Sequence, residues 1–411
     1  MKQRNVIIIG GGASGIMAAI SAAREGAKVT ILDHKDRIGK KILSTGNGRC
    51  NLTNEYMKQE CFRGDDVSIT TDVLKQFGYK ETVAFFEELG VILKNRQGYI
   101  YPISDQATTI LDVLRMEIER LNVMVRLEHH VTAINRNAKG FQIATDKGSY
   151  PADSIILATG GKAASILGSD GSGYSLSKQF GHSLSPVVPA LVQLKGKGAY
   201  FKQLAGVRTQ AKVSLFVNDK CISEDTGELQ LTNYGISGIP VFQVSRYAAK
   251  GLYEKKKVTA EIDFLPNMTD EELFLFIKER KTLHGDKKAE DFLVGMFHKK
   301  LIGVLLKEAK IPLNESINTL SNEKLKKLLF LCKHFSVLIE GTNDFEQAQV
   351  CAGGVKTTEI NPKTMESLNE ADLYIVGELL DIDGICGGYN LQWAWATGFI
   401  AGKNAAKGSR T

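Results

Sequence analysis

The sequence predicts an α/β protein with a wound parallel sheet, into which an all-β module and a small helical subdomain are inserted, and three observations carry that prediction. The first is the apolar run Val6-Ile7-Ile8-Ile9, followed by Gly10-Gly11-Gly12-Ala13-Ser14-Gly15 and then by the helical pattern Ile16-Met17-Ala18-Ala19-Ile20. The second is a change of pattern after Pro186 and Pro189, where short strand-like runs replace the alternation of strands and helices. The third is a return, from residue 345 on, to glycine-rich turns and a terminal amphipathic helix.

Each element follows from local chemistry. In a strand–turn–helix unit of this form Gly10 serves the bend, Gly12 lets backbone approach a pyrophosphate, and Gly15 lets the helix pack on the strand. A second strand, Lys28 to Leu32, ends at Asp33, eighteen residues after Gly15, where a carboxylate accepts hydrogen bonds from an adenosine ribose with a free 2′-hydroxyl. Strand, turn, helix, strand and acid in this order identify a Rossmann-type dinucleotide site. Further strands are expected at Val123–Leu127, Val131–Asn135, Phe141–Thr145 and Ser154–Ala158, the last ending on the small-residue turn Thr159-Gly160-Gly161. The stretch Gly168 to Gly173 lacks both the spacing and the preceding strand, so a single dinucleotide site is predicted, without a separate NAD(P)H domain.

In the insertion, strands are expected at Leu191–Leu194, Ala211–Val217, Leu229–Leu231, Lys257–Ile262 and Phe335–Ile339. Thr269 caps a helix, and Glu272 three residues on completes a capping box. Helical periodicity then runs from Asp270 to Leu331, broken at Ile311-Pro312. The domain reading is 1–190 with 345–411 for the α/β domain, 191–268 with 332–344 for the β-rich module, and 269–331 for the helical subdomain.

Composition narrows the function classes. A net charge of +6, from 52 Lys+Arg against 46 Asp+Glu, is mild for 411 residues and makes no case for a nucleic-acid partner. The basic excess from Lys278 to Lys310 reads as a solvated helix face, with a polyanion-binding surface as the alternative. Six cysteines without a CxxC pair point to neither a zinc knuckle nor a redox-active dithiol, so no metal and no disulfide reductase are expected. The apolar runs are shorter than a bilayer span and no signal-peptide pattern opens the chain, so a cytoplasmic protein without a membrane partner is expected.

Two further segments carry ligand chemistry. The loop Thr45-Gly46-Asn47-Gly48-Arg49-Cys50-Asn51-Leu52-Thr53-Asn54 clusters glycines, amides and an arginine that offer donors and acceptors to a polar ligand. Lys40 and Lys41, just upstream, either face the pyrophosphate or are solvated. Near the C-terminus Gly387-Gly388 opens a helix, where backbone amides and the positive helix end can face an electron-rich group such as the N1–C2=O edge of a flavin.

These segments, together with Lys40-Lys41-Ile42-Leu43, Cys351-Ala352-Gly353-Gly354-Val355 and the run from Gly387 to Ala394, resemble the BaiN/YhiN-like (HI0933-like) FAD-dependent oxidoreductases over nearly the whole chain. The resemblance implies one tightly bound, non-covalent FAD, lined by Gly10, Gly12, Ala13, Ser14, Gly15, Asp33, Lys40, Lys41, Gly46, Arg49, Asn51, Val131, Thr159, Gly160, Glu378, Asp381, Asn390 and Leu391. Asn47, Cys50, Gly387 and Gly388 join that set from the segments themselves. Relatives often carry a basic residue where Tyr99 stands, so any role of that residue does not transfer. The activity implied is hydride transfer through flavin N5, with NADH or NADPH as transient reductant and a conjugated C=C of a 3-oxo-Δ4/Δ6 bile-acid or steroid-like small molecule as acceptor. Two alternatives are an oxidase of a small amine such as aminoacetone using O2, and an RNA-associated flavoprotein. An apolar inserted module suits a large hydrophobic substrate. Tyr99, Tyr101 and Tyr389 are candidate proton donors, and His182 reads as structural.

Overall fold

The computed structural model describes residues 3–408; positions 1–2 and 409–411, the outermost of the first expected domain, lie outside the described residues. The chain divides into two compact units, one running to Val187 and resuming at Gln349, the other spanning Val188–Ala348.

The first unit is built on a five-stranded sheet in the order Leu373–Ile375, Ser154–Leu157, Asn5–Ile9, Lys28–Leu32, Met124–Arg126. Every neighbouring pair is parallel. Val6, Ile7, Ile8 and Ile9 are all buried, which is why this strand reads as a continuous apolar run rather than an alternating one. The helix Ala13–Arg24 packs against the C-terminal helix Tyr389–Lys407 almost backbone to backbone. A Cβ on Gly398 would lie 2.3 Å from the Ser14 carbonyl oxygen, and one on Gly402 2.2 Å from that of Ala18. Beside the main sheet lie an antiparallel sheet, Val131–Asn137, Gly140–Thr145 and Gly148–Ala152, and the hairpin Leu93–Arg96/Tyr99–Pro102, extended by Thr53–Asn54.

The second unit holds a closed antiparallel barrel in the order Leu194–Gly196, Gly235–Gly238, Lys220–Leu231, Arg208–Val217, Val258–Asp263, Phe335–Thr342. Closure leaves no strand edge unpaired. The helix Ile239–Tyr253, absent from the sequence expectations, packs on this barrel. Helices Asp270–His284, Ala289–Phe292, Lys299–Glu308 and Asn322–Lys333 share one hydrophobic core with it. The capping box forms as expected: the Glu272 N–H donates to Thr269 Oγ1 at 3.1 Å, and the Thr269 N–H to the Glu272 carboxylate at 2.7 Å. Two expectations shift. The strand placed at Leu191 starts only at Leu194, because Leu191 takes a left-handed φ of +48°. The helical run also breaks at Gly285 and at Gly295, where φ is +92°, and not only near Pro312.

Candidate active site

The opening turn separates its glycines by task. A Cβ on Gly10 would sit 2.5 Å from the Ala158 carbonyl oxygen, and one on Gly15 only 1.9 Å from that of Gly10. Those two positions serve the protein's own packing, against the turn that carries Thr159 and Gly160. Gly12 differs, since a Cβ there would meet nothing within 4 Å. It is also the N-cap of the helix Ala13–Arg24, and no side chain caps that end. The first amides, on Ala13, Ser14 and Gly15, therefore present a positive helix end to open space. Asp33 holds the turn in place: its carboxylate accepts the Gly11 N–H at 2.7 Å and the Lys35 N–H at 2.8 Å. Each oxygen keeps a lone pair for a ribose hydroxyl.

The glycine-rich loop enters the same region. It begins with the helical segment Lys40–Gly48, inside which Gly46 and Asn47 adopt φ of +56° and +55°. Neither upstream lysine is merely solvated. Lys40 pairs with Asp36 at 2.5 Å, and Lys41 reaches Glu378 Oε2 at 2.8 Å and the Ala163 carbonyl at 3.1 Å. The other Glu378 oxygen accepts the Cys351 N–H at 2.9 Å. One ion pair thus ties the loop, the strand Val350–Val355 and the segment Gly377–Leu379 together. Gly377 in turn lies on Ser14, whose Oγ would be 2.7 Å from a Cβ placed there. Gly46, Asn47 and Arg49 are exposed, whereas Cys50 is fully buried and its thiol is pushed up to about 12 by that burial.

The end of the loop meets the start of the last helix. Asn51 is buried, and its Oδ1 has no hydrogen-bond partner among the described residues. A Cβ on Gly388 would stand 3.0 Å from that oxygen. Asn54 Nδ2 donates to the Gly387 carbonyl at 3.1 Å. Gly388 is the N-cap of the helix Tyr389–Lys407, with φ +93° and no side-chain cap. Asn390 clamps the preceding turn, accepting the Gly384 N–H at 2.8 Å and donating to the Gly384 carbonyl at 2.9 Å. Gln392 anchors the helix: its Oε1 accepts from the Thr53 and Thr82 hydroxyls at 2.6 and 2.8 Å, and its Nε2 donates to the Phe77 carbonyl at 2.9 Å.

Of the remaining expected residues, Val131 is buried at the start of its strand, Thr159 Oγ1 donates to the Gly160 carbonyl at 3.3 Å, and Asp381 Oδ2 accepts the Asp65 N–H at 3.0 Å. Leu391 lies in the first turn of the last helix, packed on the core. Tyr99 and Tyr389 flank Gly387, at 2.9 and 3.1 Å from where its Cβ would be. Burial, then a hydrogen bond with Cys61, raises the Tyr389 hydroxyl above the ordinary tyrosine value. Burial likewise raises Tyr101, against the opposing charge of Arg96. His182 is structural, its ring held between Glu359 Oε2 at 2.8 Å and Ser367 Oγ at 2.9 Å. Three residues to which the sequence assigned no individual role join the region. Tyr174 and Cys351 converge with Glu378 on Gly161, all within 3.2 Å of a Cβ placed there. Gln392 is the third, and the signal for it was an amide in an otherwise apolar helical run.

The residues present fit FAD. Open space over Gly12 before uncapped amides suits a pyrophosphate, and the unpartnered Asn51 oxygen beside the uncapped Gly388 helix start suits a polar ring edge. Among the described residues no cluster of three or more side chains is arranged to hold a metal ion, and no helix is long and apolar enough to cross a membrane.

Comparison with known proteins gives concordant relatives. A family model described as the HI0933-like protein Rossmann domain matches residues 4–404. The chain is 53% identical over 406 residues to the 3-dehydro-bile acid delta(4,6)-reductase of Clostridium scindens, covering 97% of this chain and 98% of that protein. It is 29% identical over 415 residues to the ribosomal RNA dihydrouridine synthase of Escherichia coli, covering all of both chains. Among solved structures, a flavocytochrome c3 fumarate reductase in an open conformation aligns with 99% of this chain and 78% of its own, at TM-score 0.51 and 16% identity, which shows a shared fold.

Proposed function

The chain belongs to the HI0933-like family of FAD-dependent oxidoreductases, and we propose that it reduces a carbon–carbon double bond conjugated to a carbonyl in a 3-oxo-Δ4 or Δ6 bile-acid or steroid-like substrate, with NADH or NADPH as the source of electrons. The observation that carries this reading is the identity shared along nearly its entire length with a bile-acid reductase. FAD, when bound, supplies the two-electron hydride chemistry. The protein's part is to hold it and admit the substrate. Ala13, Ser14 and Gly15 amides take the pyrophosphate over Gly12, Asp33 takes the ribose, and Asn51 with the Gly388 helix start takes the polar edge of the ring. The Lys41–Glu378 pair holds the glycine-rich loop against the segment Gly377–Leu379.

A second reading is reduction of the C5=C6 bond of uracil in RNA, which has the same conjugated C=C and carbonyl; the full-length match to a ribosomal RNA dihydrouridine synthase favours it. Two basic residues of the stretch from Lys278 to Lys310 already donate to backbone carbonyls. Arg280 donates to the Phe292 and Val294 carbonyls, and Lys300 to the Ala205 carbonyl.

The test is anaerobic reduction of the purified yellow protein by NADH and by NADPH, followed by addition of a 3-oxo-Δ4 steroid, a uridine-containing ribosomal RNA fragment, or aminoacetone with air. Flavin reoxidation by the enone alone is the expected result. Reoxidation only by RNA establishes the second reading, and rapid turnover only with amine and air overturns both.

A further inference from the structure

The hairpin Leu93–Arg96/Tyr99–Pro102 places Arg96 directly across from Tyr99 and Lys94 across from Tyr101. Side chains on directly opposed strand positions share a face, and so do positions two apart, so these four belong to one face. That face looks onto both glycine segments of the candidate site. The Tyr99 ring stands 2.9 Å from where a Cβ of Gly387 would be, and the Tyr101 ring 3.7 Å from the corresponding point on Gly46.

Its charge is held in an organised way. The Arg96 guanidinium lies over the Tyr101 ring, 5.6 Å from its centre, and its Nη2 reaches Asp105 Oδ2 at 2.7 Å. The same oxygen takes Lys94 Nζ at 2.5 Å. The hydrogen bond from Lys94, and the charges of Arg96, Lys94 and Arg49, hold the Asp105 carboxyl below its ordinary value. Three cations thus act around one carboxylate, at an exposed tyrosine-lined edge.

We propose that this hairpin face is the subsite for the substrate's carbonyl oxygen, with Arg96 and Tyr101 stabilising the negative charge that collects there; the proposal rests on the enone-reductase reading above. The chemistry is balanced by one hydride and one proton. Hydride from reduced flavin, the two-electron donor, bonds to the β-carbon; the C=C pair shifts to join the α-carbon to the carbonyl carbon, and the C=O π pair moves onto oxygen. The enolate C=C pair then takes a proton from solvent water onto the α-carbon, an oxygen pair re-forms C=O, hydroxide returns to solvent, and the saturated ketone leaves. A preorganised cation and hydroxyl stabilise the oxyanion stage most, because charge is greatest there.

The experiment compares the holoenzyme with Arg96→Met, Arg96→Lys and Tyr101→Phe. Four quantities are measured: bound flavin per chain, the thermal midpoint, the dissociation constant of a nitrophenolate (an enolate mimic) from the shift of the flavin spectrum, and the single-turnover rate of the reduced enzyme with an enone. Arg96→Met is expected to keep its flavin and its thermal midpoint, to weaken nitrophenolate at least tenfold, and to slow single turnover about 100-fold, the scale of losing one oxyanion donor. Arg96→Lys should recover part of both losses, and Tyr101→Phe should show a smaller loss of each. Unchanged nitrophenolate binding and turnover in Arg96→Met overturn the subsite and leave the enone reading intact. A wild type that binds flavin and nitrophenolate, with Arg96→Met losing the latter, but that reduces no enone overturns the enone reading and leaves an anion subsite.

Discussion

Replacing Gly12 and Gly15 by alanine, one at a time, separates the space the protein needs from the space its cofactor needs. At Gly15 the new methyl would start 1.9 Å from the Gly10 carbonyl oxygen, and real Cβ atoms stay at least 3.0 Å away, so the helix Ala13–Arg24 must back off by about 1 Å. Overpacking of this kind costs about 1–3 kcal/mol. For a unit of this size, 2 kcal/mol lowers the thermal midpoint by about 4–8 °C. At Gly12 the methyl meets no protein atom within 4 Å, and the backbone, at φ −81° and ψ −168°, suits alanine. Alanine is a poorer N-cap than glycine by about 0.5–1 kcal/mol, while restricting the unfolded chain returns about 0.4–1 kcal/mol. The two cancel, so apo Gly12→Ala should melt within about 2 °C of wild type. Its FAD affinity should nevertheless fall at least about 100-fold, or about 2.7 kcal/mol, because the methyl fills the space over the uncapped amides. The assay is the thermal midpoint of flavin-stripped protein beside a titration of FAD followed by quenching of its fluorescence. Wild-type FAD affinity in Gly12→Ala would refute the placement of the pyrophosphate. An apo melting loss in Gly12→Ala equal to that of Gly15→Ala would refute the reasoning from space.

The thiols should divide by burial. At pH 8 an aromatic disulfide reagent should modify exposed Cys221 quickly and leave Cys50, Cys332 and Cys351 untouched until the protein unfolds, since burial pushes all three up to about 12. Glu117, hydrogen-bonded by Arg120 at 2.7 Å and Arg24 at 2.8 Å, has its carboxyl held below the ordinary 4.5, by Arg120 first. A depressed folded-state value means the stabilisation is fully present above pH 4.5 and lost as pH falls through the folded value. Glu117→Gln should therefore lose about 2 kcal/mol at pH 7, and its thermal midpoint should converge with that of wild type as the pH falls below 4.5 and through the folded value of the Glu117 carboxyl. Gln392→Leu keeps the volume but strands the Thr53 and Thr82 hydroxyls and the Phe77 carbonyl, so it should cost about 3 kcal/mol in urea unfolding of the first unit and lower flavin content.

What the sequence displays well is what neighbours in the chain decide. The turn Gly10 to Gly15 declares itself because bend, close approach and helix start fall within six residues, and Gly387-Gly388 does so for the same reason. The Thr269–Glu272 capping box is equally local. Long-range pairings are hidden. Lys41 meets Glu378 across 337 positions, which turns a lysine that local reading left open into half of a clasp. The barrel's closing pair joins Leu194–Gly196 to Phe335–Thr342, and nothing near either strand announces the other. The helix Ile239–Tyr253 was concealed by β-branched residues at its start, although Pro240 at its first turn is a helix-initiating signal.

The two halves of the candidate site are made of different material, and this bears on how such a site can change its substrate. The cradle is built of backbone amides and of Asn390 and Gln392 side chains turned inward to hold turns, so most surface substitutions leave it untouched. The hairpin face is built of side chains, Lys94, Arg96, Tyr99 and Tyr101, on strands where Arg96 and Tyr99 are 45% and 40% exposed. Exposed strand positions tolerate replacement at little cost to the fold. On the proposed subsite, alteration of this face should change which carbonyl compound is held, at what orientation and with what charge, while the cradle keeps its cofactor. On the same proposal, selectivity is assigned to the hairpin, and cofactor retention to the cradle of backbone amides.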